Sequence, residues 1–161
     1  MLTLRPYRAS DQTEFCQLVT EQDTMGQVDG PLSLEEAQSS LDSFVAGPNE
    51  RFFDAWAVEW NDAYIGHAAI ARSDVPDAGE VGFIIKRGFW GQGLGTAVAR
   101  VLVKEAAELG VKVLIATIDN GNGAAKTILS KCGFELERTD LDATGPYAVY
   151  TLTLVSPSEQ Q

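Results

Sequence analysis

Trp90-Gly91-Gln92-Gly93-Leu94-Gly95-Thr96 is the stretch on which the reading of this chain turns. An apolar run, Glu80-Val81-Gly82-Phe83-Ile84-Ile85, precedes it. Such a run predicts a strand with a central place in a sheet. After it, Val98, Val101, Leu102, Ala106 and Leu109 recur at helical spacing, which predicts a helix over Thr96–Leu109 with Gly110 as its stop. Four glycines fall within the eight residues from Gly88 to Gly95, more than a bare turn needs. Glycine lets backbone approach a ligand closely and take positive φ. The helix start behind it offers unpaired N–H groups and the positive end of a dipole. Together these make an anion site, and phosphate is the natural anion.

Two common phosphate loops do not fit. A dinucleotide fingerprint needs glycine at the position of Thr96, and a Walker A loop needs lysine at the position of Leu94.

Working outward, Val111–Ile118 predicts a strand, Ala124–Lys131 a short helix ended by Gly133, and Phe134–Arg138 and Tyr147–Leu154 two last strands. Upstream, Phe52–Trp60 and Tyr64–Ile70 read as a hairpin around Asn61-Asp62. Leu2 and Leu4 begin a first strand, and Ser10-Asp11 caps a helix carrying Phe15, Leu18 and Val19. Ser33-Leu34-Glu35-Glu36 is a capping box opening a second helix. The remainder of Thr20–Asn49 is punctuated by Gly26, Gly30, Pro31, Gly47 and Pro48. The expected order is β-α-α-β-β-β-α-β-α-β-β, an α/β domain around one mixed sheet. Residues 1–155 are read as a single domain, and 156–161 as a polar tail.

The 161 residues carry 12 Lys plus Arg against 23 Asp plus Glu, a formal charge of −11. That balance argues against nucleic acid or an anionic membrane as partner. One histidine, His67, and two cysteines, Cys16 and Cys132, supply no zinc set, so no metal is expected. No window reaches eighteen consecutive apolar residues, and no signal-peptide pattern opens the chain. The expected location is cytoplasmic.

The glycine segment resembles the signature of the GNAT superfamily of N-acetyltransferases, Arg/Gln-x-x-Gly-x-Gly/Ala, with Trp90 where Arg or Gln is usual. Asn122-x-x-Ala125 followed by Gly133-Phe134 is similar to the second half of the pattern. Leu4-Arg5-Pro6 and Pro31-Leu32-Ser33-Leu34-Glu35-Glu36-Ala37 look like the branch that acetylates ribosomal-protein N-termini. The resemblance implies a GNAT-type sheet of about seven strands with four helices, and a pair of splayed parallel strands at the acyl-CoA site. It implies acetyl-CoA as co-substrate. The pantetheine arm would lie along Phe83, Ile84 and Ile85, and the pyrophosphate on Gly91, Gln92, Gly93, Leu94, Gly95 and Thr96. Asn122 would bond the arm. The implied reaction is direct attack by a primary amine on the thioester. A small-molecule amine or a protein N-terminus would be the acceptor, and the chain a monomer or homodimer.

Two departures from the pattern bear on mechanism. Relatives carry a tyrosine acid where Leu129 stands, and some carry a glutamate where Thr117 stands. A non-catalytic acyl-CoA-binding or sensing module therefore stays open beside the enzyme. So, more remotely, does a nucleotide- or phosphopeptide-binding domain on the same loop. Glu80 is the candidate proton acceptor, set against a solvated strand end. Glu35, Glu36 and Glu80 are candidate carboxylates for a cationic acceptor. Small neighbours Gly66, Ala68 and Ala69 suggest open space around His67 on the acceptor side, set against a packed core histidine. Lys86 and Arg87 are candidate phosphate partners, set against a solvated charge pair.

Overall fold

The computed structural model describes residues 1–21, 31–143 and 145–154. Seven strands and four helices are formed: β1 (Leu2–Pro6), α1 (Gln12–Thr20), α2 (Leu34–Ala46), β2 (Phe52–Trp60), β3 (Ala63–Arg72), β4 (Ala78–Ile85), α3 (Leu94–Glu108), β5 (Val113–Asp119), α4 (Gly123–Lys131), β6 (Glu135–Asp142) and β7 (Gly145–Thr153). Single 3-10 turns, Ala9–Asp11 and Arg87–Phe89, precede α1 and follow β4. The expected order holds. The last two strands are longer than their alternation suggested, because they pair with each other as a hairpin. Parts of the Thr20–Asn49 loop and the polar tail lie outside the described residues.

One sheet runs in the order β1-β2-β3-β4-β5-β7-β6. β4 and β5 are parallel, and every other neighbouring pair is antiparallel. Parallel pairing needs a crossover, and α3 supplies it. The β2–β3 turn places Asn61 and Asp62 at φ 51° and 67°, the left-handed values a tight two-residue hairpin asks for.

Helices cover both faces. Val98, Leu102 and Ala106 of α3 and Leu129 of α4 pack with Ile70, Leu114, Ala116 and Tyr150 on one face. Phe15, Leu18 and Val19 of α1 and Ala37 and Leu41 of α2 pack with Ala57 and Tyr64 on the other, with Ile84 at the edge of that cluster. Strand alternation therefore puts Ile84 on the α1/α2 face and Ile85 on the α3/α4 face.

The capping box at Ser33 is formed: the Glu36 N–H donates to Ser33 Oγ at 3.1 Å, and the Ser33 N–H donates to Glu36 Oε1 at 3.0 Å. Asp11 corrects the other cap. It precedes α1, but its buried carboxylate takes both Arg5 guanidinium NH groups, at 2.7 and 2.9 Å, and the Arg8 N–H at 2.8 Å. Arg5 Nε reaches Glu59 at 2.8 Å, so Arg5 ties the α1 entry to β2.

Candidate active site

β4 and β5 separate. Their ladder holds only at Ala78↔Val113, Gly79↔Leu114 and Glu80↔Ile115, although β4 runs on to Ile85 and β5 to Asp119. From Val81 onward the β5 side of β4 has no strand against it, while its other side stays paired with β3 through Gly66↔Ile85. Backbone groups of successive strand residues point to opposite sides. The Lys86 N–H donates to Ile65 O at 2.7 Å, toward β3. Alternation then turns the backbone of Phe83 and Ile85 into the gap. Trp90 supports that assignment: its indole N–H donates to Ile85 O at 2.8 Å. This bond draws the loop back onto the strand end, a role for Trp90 that its place in the motif did not disclose. The N–H of Ile85 and both backbone groups of Phe83 remain to face the opening.

Beyond the gap stands the start of α3. Gly91 and Gly93 adopt φ 77° and 78°, and a Cβ on either would meet open space within 4 Å. The conformation demands glycine there, and the room is left for something else. Gly93 is the N-cap of α3, with no side chain bonded over it and no acidic residue in the first turn. The N–H groups of Gly93, Leu94, Gly95 and Thr96 precede the first intrahelical bond, from Ala97 to Gly93 O at 3.2 Å. Such a row of unbonded backbone donors could hold an anion. Gly95 has a different job: a Cβ there would meet Ile128 Cδ1 at 2.9 Å, so it lets α3 approach α4.

At the far side of the opening Asn122 caps α4. Its Oδ1 accepts the Ala125 N–H at 3.1 Å, which leaves its amide NH2 as the end that can serve a ligand. A surface pocket of about 340 Å³ is lined by Asp119, Gly121, Asn122, Gly123 and Ala124. Asp119 pairs across with Tyr147 of β7, and Tyr147 with Asp140 of β6. Sequence reasoning missed this row, because strand register, not spacing, brings it together. Tyr150, on the opposite face, is core.

Glu80 is exposed and sits on the last rung shared with β5, where the strands part. It lies about 16 Å along the strand from Ile85, at roughly 3.3 Å per residue. It shares the α1/α2 face with Gly82 and Ile84. Glu36 is committed to its capping box. Thr117 is exposed on β5, and Leu129 is buried in the core against α3. Lys86 is drawn to α1, where its Nζ pairs with Glu14 and lies 5.5 Å over the Tyr64 ring, rather than toward the loop.

Around His67 the expected open space is filled. A Cβ on Gly66 would meet Ile84 O at 2.2 Å, so Gly66 is where the β4 backbone closes on β3. The His67 ring packs with Phe44 at 5.2 Å, Phe15 at 5.5 Å and Tyr7 at 5.7 Å. Its Nδ1 lies 2.8 Å from Tyr7 Oη, which is itself 3.1 Å from Tyr64 Oη. Burial pushes the imidazole pKa down to about 4 and raises both phenols.

The family profile of the acetyltransferase (GNAT) domain matches residues 1–135. Among solved structures, the ribosomal α-N-protein acetyltransferase RimL in complex with coenzyme A superposes with a TM-score of 0.84 at 18% identity, over 95% of this chain and 94% of that one. A spermidine N-acetyltransferase from Vibrio cholerae, in complex with CoA and spermine, gives 0.82 at 16% identity over 94% and 95%. The aminoglycoside acetyltransferase AAC(6')-Ib, in complex with coenzyme A, gives 0.80 at 21% identity over 95% of each chain. At these identities the structural likeness is one of fold. A profile that spans most of the chain, on a sheet that opens where this one opens, places the protein in the GNAT acetyltransferase family.

Proposed function

We propose that the protein is an acetyl-CoA-dependent N-acetyltransferase that moves the acetyl group to a primary amine by direct attack in a ternary complex. The observation that carries this reading is the continuity between the open β4 edge at Phe83 and Ile85 and the uncapped N–H groups of Gly93–Thr96. A pantetheine arm pairs with a free strand edge as an added strand would. A pyrophosphate suits a helix start. On this reading Phe83 and Ile85 hold the arm, while the backbone of Ile84, expected with them, is spent on β3; Gly91 to Thr96 hold the phosphates, and the Asn122 amide NH2 reaches the arm.

The amine lone pair attacks the thioester carbonyl carbon. The N–C bond forms, the C–S bond breaks, and CoA leaves as a thiolate. An N–H of the open edge, at Ile85, stabilises the developing oxyanion. Glu80 receives the amine's proton through a chain of waters along the face it shares with Ile84, since about 16 Å of strand is more than one water spans. Leu129 and Thr117 carry no acid, and none is essential: a thiol with a pKa near 8.5 is a tolerable leaving group as thiolate. The two cysteines are free thiols. That state suits a reducing compartment, and the cytoplasm is the proposed location.

Leu129 and Thr117 also favour a second reading, a non-catalytic acyl-CoA-binding module. Thiol release separates the two. With acetyl-CoA and a panel of amines, the enzyme releases CoA thiol only when a suitable amine is present. Tight CoA binding with no release for any peptide N-terminus, polyamine or amino sugar would establish the binding module instead.

A further inference from the structure

Trp90 stands where the open strand edge meets the glycine loop, and its side chain bonds in one direction only. An indole N–H donates and a peptide carbonyl accepts, so the 2.8 Å bond runs from Trp90 Nε1 to Ile85 O. The Ile85–Lys86 peptide is thereby held at both ends. Trp90 takes its carbonyl on the gap side, and Ile65 O takes its N–H at 2.7 Å on the β3 side.

The segment around Trp90 has little else to tie it to the sheet. The 3-10 turn closes on itself, through the Phe89 N–H to Lys86 O at 2.9 Å and the Trp90 N–H to Arg87 O at 3.1 Å. Gly91 and Gln92 make no backbone bond among the described residues. Trp90 is 45% exposed and belongs to neither core cluster, so its bond, more than packing, sets where the ring points.

The bond also changes what the open edge offers. Phe83 keeps a donor and an acceptor toward the gap. At Ile85 the carbonyl is taken, and the N–H is the group left for a ligand. A bare carbonyl beside that N–H would repel a thioester oxygen as it gains charge. With an indole N–H on the carbonyl, that repulsion is reduced and the strand end acts as a donor.

Building on the acetyltransferase reading, we propose that Trp90 is a positioning residue that couples the phosphate loop to the thioester-polarising end of β4 through its indole bond to Ile85 O. It touches no reacting atom. Its effect runs through the Ile85 peptide and falls on the arm and the thioester, not on the phosphates.

The test uses the full chain and two variants. Trp90→Phe keeps a flat ring and loses the N–H. Trp90→His puts an imidazole Nε2–H where the indole Nε1–H stood. Calorimetry reads affinity for CoA and for 3′-phosphoadenosine 5′-diphosphate, which has the pyrophosphate and no arm. Steady-state acetylation of an amine that supports thiol release reads kcat. In Trp90→Phe the armless nucleotide should bind within about twofold of wild type, CoA should bind several-fold more weakly, and kcat should fall about tenfold, the scale of one hydrogen bond. Trp90→His should recover part of both losses. Equal losses for the two ligands with kcat kept would make Trp90 a prop of the phosphate loop and overturn the proposal. So would no loss in a folded Trp90→Phe protein, or no recovery in a folded Trp90→His protein. If the wild type binds CoA but acetylates no amine, the acetyltransferase reading falls, and the ratio of the two affinities still decides for or against the coupling.

Discussion

The two sides of the β4–β5 opening are built by different means. On the α3 side the work is done by backbone: Gly91 and Gly93 at positive φ, the free N–H groups of Gly93–Thr96, and the turned-out groups of Phe83 and Ile85. On the α1/α2 side it is done by side chains: Tyr7, Phe15, Phe44, Tyr64 and His67 interlock by ring packing and two hydrogen bonds. Backbone N–H groups can donate to a phosphate whatever the side chains nearby. A side-chain wall can be rebuilt without disturbing that grip. The arrangement sets a backbone-built side of the opening against a side-chain-built one.

Breaking the α3 side should give the largest effect. Gly93→Val forces a left-handed residue to carry a branched side chain into the space in front of the helix start. Calorimetry should find CoA affinity lower by about a hundredfold or more, the loss of two or so charge-assisted bonds. Gly95→Ala, whose Cβ crowds the movable end of Ile128 and touches Phe83 and Ile85 at ordinary contact distance, should leave affinity within a few-fold and show its cost in stability.

Next in size is Asp11, which anchors the α1/α2 side. Asp11→Ala leaves Arg5 half-buried with Glu59 as its remaining charged partner, beside the Pro6 carbonyl. Urea unfolding should show a loss of about 3 kcal/mol, the range for breaking a buried ion pair. Arg5 holds the Asp11 carboxyl below its usual range. Its contribution is therefore present above the unfolded pKa, about 3.9, and is lost as pH falls further.

His67 acts in an adjoining window. Its folded pKa, about 4, lies below the unfolded value of 6.5, so the unfolded chain binds the extra proton between them. Stability should fall as pH drops from about 6.5 to 4. The urea midpoint followed against pH should lose that slope in His67→Gln and keep the Asp11 limb below it.

The smallest effect sharpens the comparison through charge. With −11 on the chain and Glu80 exposed where the strands part, kcat/KM for a cationic acceptor should fall a few-fold as salt rises past about 0.1 M. A flat salt response together with full activity in Glu80→Gln would leave the acidic excess to solubility alone.

The same division explains what could be read in advance. The backbone half is written in consecutive residues, Glu80 to Thr96, so its strand, loop and helix start were legible together with the topology they imply. The side-chain half draws Tyr7, Phe15, Phe44 and His67 from four separate stretches of the chain. No periodicity links residue 7 to residue 67, and their meeting depends on the β1–β2–β3 register. Gly66 shows the limit clearly. As one of several small residues it suggested open space, whereas the β4 carbonyl of Ile84 occupies that space. Asp119, Tyr147 and Asp140 were hidden for the same reason, since pairing across β5, β7 and β6 aligns them.

The most direct test follows the backbone amides of the full chain as CoA is added. The account predicts that CoA shifts the amides of Phe83, Ile85 and Gly91–Thr96. Those of Tyr7, Tyr64 and His67, packed against α1 and α2, should stay unmoved by CoA. CoA shifts centred on the aromatic cluster, with the glycine loop unmoved, would contradict it.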